Sequence, residues 1–290
     1  FHGTRVKENV YRPDWSTNER LHYTNQLFDI IAELVPSCIE GSVSTLPGSF
    51  KAFGADEAAI FRNLEHCARH IEELAERHDR DLHLGLEPEP LGHFENTEET
   101  LAFFARLLDQ ADDPELIRRR IGINYDTCHF AVEFDDCRTA LTSFREAGLR
   151  ISKVHLSNAL AFDPSDQSAI AAIGQFDEPT YLHQLILNRD GNLQRHPDLP
   201  EALPTLDDSG EPGSSEARVH FHIPLYSDPS EPLRSTKSHV TELLKYRQEQ
   251  PDFCTHFEIE TYTWGVLPGP LQEPLVDQIA NEYRWILERL

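Results

Sequence analysis

The chain has 290 residues and carries 50 Asp and Glu against 26 Lys and Arg, a formal charge of -24. That balance argues against broad binding to nucleic acid or anionic lipid, both of which need basic surface, but it leaves room for one small phosphate-handling site. The 39% apolar content fits a soluble globular chain, with no run near the ~20 apolar residues that cross a bilayer and no signal peptide at the start. Five cysteines (Cys38, Cys67, Cys128, Cys137, Cys254) form no CxxC pair, which points to reduced thiols and a cytoplasmic setting. No methionine occurs anywhere.

Short apolar strands alternate with amphipathic helices. Ser16 to Leu34 reads as a helix, with Ser16 and Glu19 at capping-box spacing and Leu27, Ile31 and Leu34 on one face. Ile39 to Thr45 is a strand, and the spacing of Ile60, Leu64, Cys67, Ile71 and Leu74 marks a helix over Asp56 to Arg77. Leu82 to Glu87 is a strand, and Asn96 caps a helix with Leu101, Phe104 and Leu108 as its stripe. Ile121 to Tyr125 is a strand, Asp136 to Ala147 a helix, and Ile151 to Leu156 a strand.

The rhythm then breaks at an irregular insertion over about 159–217, which includes a polar loop from Asp207 to Glu216. Arg218 to Ile223 resumes as a strand, Thr236 to Gln250 as a helix and Thr255 to Glu260 as the last strand. Leu275, Ile279, Tyr283, Ile286 and Leu290 mark a closing helix. Such alternation means parallel strands covered by helices, as a doubly wound open sheet or an eight-stranded barrel in a single domain over 1–290. No GxGxxG or GxxxxGK[ST] phosphate loop supports the open nucleotide-binding sheet.

Each strand ends in a residue that can bind a metal: Glu87, Asp126, His155, then His220 and His222, then Glu258 and Glu260. A lone carboxylate at a strand end is ordinarily a helix cap or a solvated loop residue, and a lone strand histidine is ordinarily part of the core. Five strands ending alike shifts the reading, because buried ionisable groups are costly unless paired or metal-bound. In a parallel barrel these ends converge on one mouth.

Several motifs carry a specific resemblance. Tyr125-Asp126-Thr127-Cys128-His129, Leu86-Glu87, Lys153-Val154-His155-Leu156-Ser157-Asn158 and Ile259-Glu260-Thr261 resemble, in order, strand ends of the xylose-isomerase-like TIM barrel superfamily. That superfamily contains sugar isomerases, sugar epimerases and the endonuclease IV group. The strings Gly85 to Pro90, Val219 to Tyr226 and Glu258 to Pro268 are similar to the EboE-type metabolite-traffic proteins within it. The resemblance implies a (β/α)8 barrel whose first strand, first helix and second strand are absent from this chain, with Phe1 to Trp15 following the second strand.

It also implies that Glu87, Asp126, His155 and Glu260 hold one divalent ion, Mn²⁺ or Zn²⁺, with Co²⁺ a third option. Glu87 and Glu260 would move the proton of an isomerase or epimerase acting on a sugar or sugar-like molecule through an enediolate. His129 would face the substrate or a second metal, with Glu89 a second choice to Glu87. His222, His220, Lys153 and Trp264 would contact substrate, Trp264 with Tyr262 as an aromatic wall, although packing of these two and a salt-bridged Lys153 are the plainer readings. The expected partner is a carbohydrate-like small molecule, with no membrane, nucleic acid disfavoured and homo-oligomerisation left open. Two rivals remain: a metal-holding barrel that carries a metabolite without turnover, and an endonuclease IV-like zinc phosphodiesterase. Against the second, no histidine ends the strand at Ser44-Thr45-Leu46-Pro47.

Overall fold

A computed structural model describes residues 7–206, 213–265, 267 and 273–290. The first half runs α1 (Asn18–Leu34), β1 (Gly41–Thr45), α2 (Glu57–His78), β2 (Leu82–Leu86), α3 (Thr97–Gln110), α4 (Pro114–Arg120), β3 (Ile121–Asp126), α5 (Thr127–Val132), α6 (Cys137–Glu146) and β4 (Ile151–Leu156). There follow β5 (Leu160–Phe162), α7 (Gln167–Ile173), β6 (Leu185–Arg189), β7 (Asn192–His196), α8 (Leu199–Ala202), β8 (Ser215–Val219) and β9 (Arg234–Ser235). α9 (Lys237–Glu249), β10 (Phe257–Ile259) and α10 (Leu275–Leu287) complete the chain.

Local chemistry explains most boundaries. Asp56 accepts from the Ala58 amide to start α2, Asn96 from Glu99 to start α3, and Asp136 from Thr139 to start α6. The cap of α1 is Thr17, which accepts from Arg20, and not Ser16, whose hydroxyl donates to Asp14. Every member of the expected α2 stripe, from Ile60 to Leu74, is buried.

β1, β2, β3, β4 and β10 form one parallel sheet in that order. On its helix side Leu82, Leu84, Leu86, Ile121, Ile123, Tyr125, Val154 and Leu156 join Ile60, Leu64, Phe104 and Phe144 in the main apolar cluster. Strand alternation leaves the other face to Ser42, Ser44, His83, Asn124, Lys153, His155 and Glu258. The sheet curls until its edge strands come within side-chain reach: Ser42 Oγ lies 2.7 Å from His256 Nδ1, and Lys153 Nζ lies 3.4 Å from Ser44 Oγ. Among the described residues no backbone ladder joins β1 to β10.

A register shift in the β3–β4 pair sets the site. Ile123 pairs with Ile151 but Asn124 pairs with Lys153, so Ser152 is the extra residue of a bulge and Asp126 comes level with His155. Gly122 is required there, since a Cβ would lie 2.5 Å from the Arg150 carbonyl oxygen and 2.4 Å from Ser152 Oγ.

Three expectations are corrected. Arg218 to Ile223 is not a strand of the parallel sheet. The strand is β8, and it lies at the centre of an antiparallel sheet ordered β7-β6-β8-β5-β9. The segment expected to be irregular over about 159–217 supplies most of that sheet, together with its own apolar cluster around Phe162, Leu185, Leu187 and Val219. Its polar loop falls partly outside the described residues, at 207–212. Finally, α10 exists but is turned over: Gln278, Glu282 and Ile286 are buried, while Leu275, Ile279, Tyr283 and Leu290 are exposed. Glu282 decides this face by accepting from the Leu225 amide (3.0 Å) and the Thr261 hydroxyl (2.8 Å).

Candidate metal centre and cavity

The carboxylates on either side of the site sit one residue past their strands, held there by continued ladder bonds. The Glu87 amide donates to Thr45 O at 2.9 Å, and the Glu260 amide donates to Leu156 O at 3.1 Å. Asp126 ends β3 and caps α5: its Oδ1 accepts from the Cys128 and His129 amides (2.7 and 3.0 Å) and from Ser157 Oγ (2.6 Å). Its Oδ2 is buried and has no hydrogen-bond partner. His155 completes the group, with Nδ1 at 3.1 Å from Glu87 Oε1, 3.0 Å from Glu260 Oε2 and 3.9 Å from Asp126 Oδ2.

One ligand atom from each of Glu87, Asp126, His155 and Glu260 lies within 4.8 Å of every other. This is the set expected from the sequence, and it fits a divalent cation on two grounds. Three carboxylates converge with one imidazole nitrogen, a hard-to-borderline donor set. The orphaned Asp126 Oδ2 also faces into the group, and an unpaired buried carboxylate oxygen is costly unless something positive meets it.

A supporting layer orients the imidazole. His155 Nε2 donates to Glu258 Oε2 at 3.2 Å, which leaves Nδ1 as the nitrogen aimed at the cluster. Glu258 is held in turn by Lys153 Nζ (2.8 Å) and His256 Nε2 (3.1 Å). Of the two readings for Lys153, substrate contact and a salt bridge, its buried ammonium takes the salt bridge, to Glu258 behind the cluster. Asn124 Nδ2 donates to Glu87 Oε2 at 2.8 Å. No local signal marks this role for Asn124, which depends on the β3–β4 bulge.

The electrostatics follow from this crowding. Burial would lower the His155 pKa, but Glu87 and Glu260 overcome it and raise it well above its usual value. Burial, reinforced by Glu87 and Asp126 against His155, pushes Glu260 up to about 7. Burial and the neighbouring Glu87 push Glu89 up to about 8. Asp126 goes the other way: burial would raise it, and the imidazoles of His129 and His222 hold it below the usual carboxylate range.

A cavity of about 580 Å³ opens over the cluster, lined by Glu87, Glu89, His129, His220, Glu260 and Tyr262, and by Lys7, Val10, Tyr11, Pro90, Tyr181 and Leu182. His129 is set by Nδ1 donating to Pro88 O at 2.8 Å. The segment 7–11 straps the rim: Tyr11 OH donates to Pro90 O at 2.7 Å, the Lys7 amide donates to Thr180 O at 3.1 Å, and the Lys7 ammonium pairs with Asp198. Tyr181 and Tyr262 meet edge-on with centroids 5.1 Å apart. Tyr262 lines the cavity, whereas Trp264 packs against the second apolar cluster and does not line it. Tyr11 and Tyr181 carry no sequence signal, since strap and insertion meet only in the fold.

His220 and His222 reach the mouth on the stretch that leaves β8. The His220 amide donates to Gln184 O and the Ile223 amide to Asn158 O, both at 2.9 Å. His220 lines the cavity, while His222 lies behind it with Nδ1 donating to Glu260 O at 2.6 Å. All five cysteines are free. Among the described residues no helix is long and apolar enough to cross a membrane.

No family model and no curated protein matches the chain. Among solved structures it is similar to the IolI protein, crystallised with a bound zinc atom, at 13% identity and a TM-score of 0.34 over 51% of this chain. The match spans 47% of IolI, less than half of that protein's length. It is also similar to AsbF of Bacillus anthracis, described as a probable 3-DHS dehydratase of petrobactin synthesis, at 12% identity and a TM-score of 0.46 over 93% of this chain and 70% of AsbF. Likenesses this distant carry no argument about the chemistry of this chain. What the fold itself shows is an α/β protein built on a curled parallel sheet with helices packed against it.

Proposed function

We propose that this chain is a divalent-metal-dependent isomerase or epimerase acting on a sugar-like small molecule. The observation that carries the reading is the convergence of Glu87, Asp126, His155 and Glu260 beneath a cavity whose walls add two more titratable groups, Glu89 and His129. A divalent cation held by the four would polarise a carbonyl or hydroxyl oxygen of the substrate.

The chain's own groups suit proton transfer at an adjacent carbon. Glu87 and Glu260 both reach the cavity from opposite edges of the cluster, so one can take a proton on one side while the other returns it. Their surroundings differ, as such a division requires: Glu87 accepts from Asn124 Nδ2 and lies against His155 Nδ1, while Glu260 meets His155 from the other side. Glu89 lines the cavity, and burial beside Glu87 raises its pKa, which suits it to donate a proton to a substrate oxygen. His129 lines the cavity with Nδ1 held by Pro88 O, which leaves Nε2 as the nitrogen that can hydrogen-bond a substrate oxygen. Tyr262 and Tyr181 offer an aromatic face to a sugar ring, and the strap with Tyr11 keeps water from the reacting atoms.

Incubation of candidate ketoses and aldoses in D₂O with Mn²⁺ or Zn²⁺ tests the reading. Deuterium entering at the carbon next to the carbonyl, and lost in Glu87→Gln and Glu260→Gln, is the expected result. Stoichiometric metal with no exchange on any sugar would instead favour a metabolite carrier, and cleavage of abasic-site DNA would favour the phosphodiesterase.

A further inference from the structure

We propose that the chain holds a second, softer metal site beside the first, formed by Cys128, His220 and His222. One ligand atom from each of these three lies within 4.8 Å of the others, and all three residues are buried. Cys128 and His222 are 0% exposed and His220 8%. The imidazole rings of His220 and His222 stand 5.2 Å apart, and neither supplies the other with a hydrogen bond.

The nitrogens themselves call for a ligand. His222 Nδ1 faces the Glu260 carbonyl, which can only accept, so Nδ1 carries the proton and Nε2 is a bare lone pair. That Nε2 has no partner, and neither nitrogen of His220 has one. Three buried imidazole nitrogens without a donor or acceptor are rare in a folded chain, and an unpaired buried polar atom needs an explanation. A cation, with the thiol as third ligand, accounts for two of them, His222 Nε2 and the lone-pair nitrogen of His220.

His222 also lies near Asp126 and His129, but those two have other engagements. Asp126 belongs to the four-residue cluster, and His129 Nε2 faces Asp126 Oδ1 at 4.0 Å. The Cys128, His220 and His222 group is left with nothing else to do. One sulfur and two imidazole nitrogens make a borderline-to-soft set that selects Zn²⁺ over Mn²⁺, and three protein ligands leave a fourth position. His220 lines the cavity, so that position opens toward the substrate. Binding removes the Cys128 proton to solvent, while His222 and His220 bind through lone pairs they already have.

Two measurements on the full chain decide it. Metal analysis after Zn²⁺ loading is expected to give two ions per chain, falling to one in Cys128→Ser and to one in Glu260→Gln. Loading with Co²⁺ is expected to produce a sulfur-to-cobalt charge-transfer band that survives in Glu260→Gln and disappears in Cys128→Ser. If Cys128→Ser does not fold, the band in Glu260→Gln alone carries the test. One ion per chain with no thiolate band overturns this site and leaves the first untouched. One ion with the band, unchanged by Glu260→Gln, supports this site and overturns the first.

Discussion

Glu258 touches no substrate-facing surface, yet the geometry makes it a determinant of metal affinity. Its Oε2 accepts from His155 Nε2 at 3.2 Å and thereby turns Nδ1 toward Glu87, Asp126 and Glu260. Glu258→Gln keeps the size and an accepting oxygen but removes the charge that fixes the tautomer. Loss of such a supporting carboxylate costs 10–100-fold in affinity, about 1.4–2.8 kcal/mol. The substitution also strands the Lys153 ammonium, whose remaining contact is Ser44 Oγ at 3.4 Å, so the fold itself is expected to weaken.

Lys153→Met combined with Glu258→Gln removes both charges and separates the two effects. Thermal stability of the double variant is expected to recover toward wild type, while its affinity stays 10–100-fold low. Competitive titration against a chromophoric chelator reads affinity, and thermal unfolding reads stability. Unchanged affinity in Glu258→Gln, or affinity restored in the double variant, would refute the argument.

Further outcomes follow from the same geometry. The folded chain holds protons on Glu260 and His155 that the unfolded chain releases at lower pH, so the stability they confer is present in acid and is lost as pH rises toward and past 7. Metal-free protein should therefore melt at lower temperature at pH 8 than at pH 6, and bound Mn²⁺ or Zn²⁺ should abolish or reverse that trend. Because the cation displaces those protons, affinity should rise with pH over this range, with proton release measurable by titration calorimetry in buffers of different ionisation enthalpy. Gly122→Ala forces a methyl to within 2.5 Å of the Arg150 carbonyl oxygen, at a cost of about 1–3 kcal/mol. Since it disturbs the bulge that levels Asp126 with His155, metal titration should show affinity falling along with the melting temperature. Leu84→Ala, at a fully buried helix-facing position, should cost about 2–5 kcal/mol in denaturant unfolding and leave the affinity of the folded chain unchanged.

Much of the parallel sheet can be read from the chain, whereas the choice of Glu87, Asp126, His155 and Glu260 among the strand-end residues comes with the superfamily resemblance. Period-two alternation at Leu82, Leu84 and Leu86, or at Ile121, Ile123 and Tyr125, already separates a core face from a functional face, and the strand-end residue falls at the mouth. The antiparallel sheet is hard to read for a physical reason: β6 and β7 pair with each other, but β6 joins the sheet by pairing with β8 across an intervening segment, and nothing local in Arg218 to Ile223 says which sheet Val219 joins. α10 forms where its apolar residues mark a helix, but of those only Ile286 is buried, because buried hydrogen bonds to Glu282 choose the face. Lys153 and Trp264 take the plainer of the readings open to them, because the pairing with Glu258 and the packing of the second cluster decide where their side chains go.

The central claim is most directly tested by anomalous diffraction from crystals soaked in Mn²⁺ or Zn²⁺. The account predicts a peak bonded to Glu87, Asp126, Glu260 and the Nδ1 atom of His155, at the ~2.0–2.2 Å distances of oxygen and nitrogen ligands. A map with no peak there at saturating metal, the four side chains being ordered, would contradict it.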